Sequence, residues 1–175
     1  MHEPSTEVLL KARKFSVVRR SFTAPDGRAV QREMVEHPGA VAVIALLPDD
    51  RVCLIRNQRR GVGKTLVELP AGTLEPGEVP EACAARELAE ETGYRAGKIE
   101  PLYAFWMSPG ILTERMHLFL ATELESGPQH LEADEQIETT LVTWEEALAM
   151  TADGRIEDAK TLVGLLLYDR LRRGR

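Results

Sequence analysis

An unbroken apolar run spans residues 40–47, bounded by His37-Pro38-Gly39 and Pro48-Asp49-Asp50. A short run between turn formers predicts a strand buried on both faces. Residues 51–58 begin apolar and end polar, as a hairpin partner would, and residues 66–69 form another short strand. Pro70, Gly72, Pro76 and Gly77 crowd one segment, which predicts a loop over residues 70–77. A helix follows over residues 79–92, with Gly93 placed to end it. At about 100° per residue, Ala82, Ala85, Leu88 and Ala89 share an arc expected to face a sheet. Glu87, Glu90 and Glu91 fall on the opposite arc.

Strands are expected at residues 96–105, 116–123 and 138–143, with an acidic loop over 124–136. Thr143-x-x-Glu146 is a capping-box pattern that opens a helix over 143–150, and an amphipathic helix over 156–172 closes the chain. Residues 5–36 read as short strands broken by the turn Ala24-Pro25-Asp26-Gly27. There are no internal repeats and no βαβ alternation. The expectation is α+β, with helices packed on a mixed sheet. Residues 1–37 form an antiparallel arm too small to fold by itself, and residues 38–175 form the main domain.

Composition narrows the partners. With 43% hydrophobic and 29% charged residues, the chain buries an ordinary core. Its net charge of -6 and lack of a long basic block argue against nucleic acid. No apolar run is long enough to span a bilayer, and residues 1–15 lack the apolar core of a signal peptide. Cys53 and Cys83 form no CxxC pair, so two buried thiols in a reducing cytoplasm are expected.

The chemistry lies in the loop and helix that follow residue 70. Three carboxylates at i, i+3 and i+4 repel one another, and solvent, Arg86 or a cation must compensate. A solvated acidic face fits this pattern by itself. The preceding loop, Ala71-Gly72-Thr73-Leu74-Glu75-Pro76-Gly77-Glu78, changes the reading, because its backbone can approach a ligand closely. Hard oxygen donors of this kind suit Mg²⁺ or Mn²⁺, and no His/Cys cluster points to zinc.

Gly72, five residues, Glu78, seven residues, then Arg86-Glu87-Leu88-Ala89-Glu90-Glu91-Thr92-Gly93-Tyr94 resembles the Nudix box at all its fixed positions. The resemblance implies the Nudix fold, a mixed sheet sandwiched between helices, and hydrolysis of a diphosphate joined to another moiety. By the same resemblance Glu87 and Glu91 bind metal, Glu90 joins them, and the carbonyl of Ala71 is a further ligand. Arg86 orients the carboxylates, through Glu78.

Other segments resemble the ADP-ribose pyrophosphatase branch of that family. Glu68-Leu69-Pro70-Ala71-Gly72 matches its lead-in, and Pro109, Gly110 and Glu114 match its substrate segment. Arg59 aligns with the family's phosphate-binding arginine, with Arg56 as a second candidate. Arg32 and Glu33 resemble a pair that reaches the nucleotide of a partner subunit, which implies a homodimer. The family's catalytic base comes from a late acidic loop, but its usual position falls here on Ala133. Either the loop shifts and Glu135, or second Glu132, is the base, or a box glutamate such as Glu90 does the work. The implied reaction is hydrolysis of ADP-ribose to AMP and ribose 5-phosphate. Another nucleotide sugar such as GDP-mannose, or a regulatory domain that binds nucleotide sugars without cutting them, remains open. His117 is expected half-buried in a strand, and Trp106 in the core rather than stacked on a base with Tyr103.

Overall fold

A computed structural model describes residues 5–133 and 135–174. β4 (Ala40–Leu46) is its organising strand. Ala40, Ala42 and Ile44 enter one apolar cluster, while Val41, Val43 and Ala45 enter another. Both faces are covered, which is why no polar residue interrupts the run.

β4 lies in a seven-stranded mixed sheet with β5 (Arg51–Arg59), β6 (Lys64–Glu68), β7 (Ala71–Thr73), β8 (Tyr94–Trp106), β9 (Arg115–Ser126) and β10 (Ile137–Thr143). The main path runs β10-β5-β4-β9-β8, with β6 paired to β5 and β7 to β4. β4 and β9 are parallel, and the other pairs are antiparallel. The expected hairpin of β4 and β5 is only two pairs long, Ala45 with Cys53 and Leu46 with Val52. The strands then diverge, so β4 meets β7 and β5 meets β6.

Helix α1 (Pro80–Thr92) covers one face through Cys83, Ala84 and Leu88. Helices α2 (Trp144–Ala152) and α3 (Ala159–Arg173) cover the other through Trp144, Ala147, Met150 and Leu165. The expected α+β sandwich is present. Gly93 ends α1 at φ 76°, a left-handed conformation that glycine adopts without strain. The Thr143 side chain accepts from the Glu146 amide, as the capping pattern predicts. α3 starts later than expected because Asp158 caps it, accepting from the Thr161 amide.

Two sequence expectations are corrected. Residues 70–77 are not all loop, since Ala71–Thr73 pairs with β4. The buried arc of α1 is Cys83, Ala84, Leu88, Glu91 and Thr92, whereas Ala82 and Ala85 are exposed. Small alanines fit either environment, so periodicity alone misplaces the helix face. Glu91 therefore lies on the buried side and not opposite it.

The arm is a separate antiparallel sheet of β1 (Ser5–Lys11), β2 (Ser16–Thr23) and β3 (Ala29–Glu36). It joins the body at Val35, which donates to the Ile111 carbonyl at 2.8 Å and accepts from the Thr113 amide at 2.9 Å. No helix among the described residues is long and apolar enough to cross a membrane.

Candidate active site

Residue 72 must be glycine for a steric reason. A β-carbon built on it would overlap the Glu87 carboxylate. α1 can thus press its acidic side against β7. Glu91 is only 3% exposed, and one of its oxygens accepts from the Ala71 amide at 2.8 Å. Burial, and then the nearby Glu87 and Glu135 charges, push its carboxyl up to about 8. Burial likewise raises the Glu87 carboxyl above its ordinary value.

Arg86 holds the rim of this group. Its guanidinium donates to Glu78 at 2.9 Å, to Glu87 at 2.7 Å and to Glu90 at 3.1 Å. The paired Arg86 holds the Glu78 carboxyl down at about 2. Glu78 thus anchors Arg86, which reaches Glu87 and Glu90 directly and not through Glu78.

These groups floor a cavity of about 470 Å³. Ala71, Gly72, Arg86, Glu87, Glu90 and Glu91 line it from below. Arg59, Glu68, Glu114, Glu132 and Glu135 line its walls. Glu68 is fully buried and serves as an ion-pair hub. Arg59 binds it in bidentate fashion at 2.7 and 2.6 Å, and Lys160 donates to it at 2.5 Å. Lys160 also pairs with Asp158 at 3.0 Å.

The loop with Glu132 and Glu135 is tied at both ends. Gln129 and His130 donate to the carbonyls of Glu91 and Glu90 at the end of α1. Gln58 of β5 donates to the Gln136 carbonyl. Within the loop the Glu132 amide donates to the Glu135 carboxylate at 2.9 Å, and the Glu132 carboxylate accepts from Arg13 at 3.1 Å. Asp134 lies outside the described residues.

Not every candidate reaches this cavity. Arg56 faces away, lining a separate hollow with Gln58, Leu131 and Glu138. Strand alternation explains this, because Arg59 sits three residues further on, on the opposite face. Pro109 and Gly110 sit exposed in the turn between β8 and β9, outside the lining, although Met107 and Glu114 at its two ends belong to it. Arg32 and Glu33 are exposed on β3, and Glu33 pairs with Arg19 at 2.8 Å. Trp106 is not in the core: it is 49% exposed, under the Arg115 guanidinium at 5.1 Å. His117 is half-buried as expected. Sequence reasoning missed Lys14, Asn57, Asp158 and Lys160, which also line the cavity.

The donor set fits a divalent cation. The buried Glu91 carboxylate, which has no cationic hydrogen-bond partner among the described residues, lies beside Glu87 and the Gly72 backbone and offers hard oxygen donors. Among the described residues no three His, Cys, Asp or Glu side chains are gathered closely enough to hold a metal ion as they stand, and Arg86 engages two of the carboxylates. Cys53 and Cys83 are buried free thiols, both pushed up to about 12 by burial, and neither suits metal binding.

The NUDIX domain family matches residues 36–163, most of the chain. The chain belongs to the Nudix family. It is a Nudix hydrolase, of a family that works with divalent metal ions. It is 45% identical over 139 residues to the ADP-ribose pyrophosphatase of Bacillus subtilis (strain 168), covering 78% of this chain and 75% of that one. It is 38% identical over 162 residues to the methanol dehydrogenase activator of Bacillus methanolicus, covering 91% and 88%. A crystal structure of an ADP compounds hydrolase superposes with a TM-score of 0.84 at 22% identity, over 99% of this chain and 96% of that one, and shares the Nudix fold.

Proposed function

We propose that this Nudix hydrolase cleaves the diphosphate of ADP-ribose to AMP and ribose 5-phosphate. The observation that supports the reading is that Ala71, Glu87, Glu90 and Glu91 all line one cavity of about 470 Å³, large enough for a nucleotide sugar. Kinship with an ADP-ribose pyrophosphatase over three quarters of both chains supports the choice of sugar.

Glu87, Glu90 and Glu91, with the Ala71 carbonyl, would hold Mg²⁺ or Mn²⁺. Such ions, when bound, neutralise phosphate oxygens and activate water. Arg86 keeps Glu87 and Glu90 in place, and the buried Glu68 fixes Arg59 at the cavity wall, where its guanidinium meets a phosphate. Glu135 is the base that takes the proton from the attacking water. Among the described residues its carboxylate is held by a backbone amide alone, whereas that of Glu132 is engaged by Arg13. Pro109 and Gly110 shape the turn that brings Glu114 to the cavity.

The arm would cross to a second copy in a homodimer, with Arg32 and Glu33 serving the partner's nucleotide. Their exposure, and that of Val8, Leu10 and Phe22 on the same sheet, supports this. The two free thiols suit a cytoplasmic setting. A substrate panel tests the reading: ADP-ribose, GDP-mannose, UDP-glucose, NADH and diadenosine polyphosphates with Mg²⁺, products resolved by chromatography. Selective AMP release from ADP-ribose is the expected result. Preference for another compound would overturn the choice of sugar, and tight binding without cleavage would overturn the enzymatic reading.

A further inference from the structure

Among the described residues four cationic side chains line the cavity: Lys14, Arg59, Arg86 and Lys160. Three are committed to carboxylates. Arg59 is held by Glu68, Lys160 by Glu68 and Asp158, and Arg86 by Glu78, Glu87 and Glu90. Lys14 pairs with no carboxylate among the described residues. It sits at the tip of the arm, in the turn between β1 and β2. That turn is pinned beside the cavity, because the adjacent Arg13 pairs with Glu132 at 3.1 Å. The turn is closed by the Ala12 amide, which donates to the Phe15 carbonyl at 2.9 Å.

A carboxylate-rich cavity that takes a diphosphate needs positive charge not already neutralised. We propose that Lys14 is a substrate-binding residue that places its ammonium against the diphosphate oxygens. The arm thereby completes the site of the body on which its tip rests. A lysine here acts as a mobile point charge, unlike the fixed guanidinium of Arg59. This rests on the nucleotide-sugar reading above.

The test compares wild type with Lys14→Met and Lys14→Arg. Lys14 is exposed and makes no ion pair, so neither change disturbs the fold. ADP affinity is measured by calorimetry at low and high salt, and KM for ADP-ribose by initial rates. Lys14→Met should weaken ADP binding and raise KM about tenfold, with kcat changing far less, and should flatten the salt dependence. Lys14→Arg should restore most of the affinity. ADP affinity and salt dependence unchanged in Lys14→Met would overturn the proposal, as would failure of the wild type to bind ADP. A wild type that binds ADP but leaves ADP-ribose intact would refute the substrate reading, while the ADP comparison still decides the role of Lys14.

Discussion

The carboxylate of Glu87 occupies the space that a side chain at Gly72 would need. Strand β7 and helix α1 are packed backbone against carboxylate, and the acidic floor of the cavity depends on that approach. Gly72→Ala should push Glu87 aside. Metal-dependent turnover should fall at least tenfold, while circular dichroism stays native, since the displaced group is on the cavity side. Unchanged kinetics would mean that the Glu87 position does not matter to the reaction.

Glu91 makes the metal-free protein sensitive to pH. Its carboxyl is raised from an ordinary value near 4.5 to about 8, so the folded state prefers the protonated form. That contribution to stability is full below the unfolded value and is lost as pH rises through about 8. In chelator, the melting temperature should therefore fall between about pH 5 and about pH 8, by an amount on the order of a few kcal/mol in stability. Glu91→Gln should flatten the profile, and Mg²⁺ should restore wild-type stability at the alkaline end. A wild-type profile in chelator that matches Glu91→Gln would contradict this account.

Much of the site was legible before the fold. The spacing from Gly72 to Tyr94 marked the loop, the helix and its glutamates, and the double-sided burial of β4 was written in its unbroken apolar run. β7 was not legible, because three residues among prolines and glycines become a strand only when β4 supplies a distant partner. The α1 face was misplaced since Ala82 and Ala85 carry no signal of inside or outside. Lys160 meets Glu68 across 92 residues, and Lys14 joins the cavity only through the arm, so no local pattern announces either. Core packing is the plainer reading of Trp106 from sequence, yet it lies at the end of β8 under Arg115.

The two loop acids differ in their partners, and their roles should separate in kinetics. Glu135→Gln should lower kcat by about a hundredfold or more with little change in KM, as loss of a general base does. Glu132→Gln should have a smaller effect, expressed through the Arg13 contact. Reversed magnitudes would assign the proton transfer to Glu132.

Removal of residues 1–36 takes away β1, β2 and β3 together with Lys14. A dimer built through the arm should become monomeric on size-exclusion chromatography with light scattering, and KM should rise. A truncated protein that stays dimeric, with native KM, would exclude the arm from both assembly and substrate binding.

The most direct test of the central claim is AMP release from ADP-ribose by wild type and Glu91→Gln, as Mg²⁺ is titrated into chelated protein. Wild type should show no turnover in chelator and saturable activation by Mg²⁺, while Glu91→Gln should stay folded and inactive at every concentration. Turnover by wild type in chelator, or near-normal activity of Glu91→Gln, would contradict the assignment of these glutamates as the metal cradle of the hydrolase.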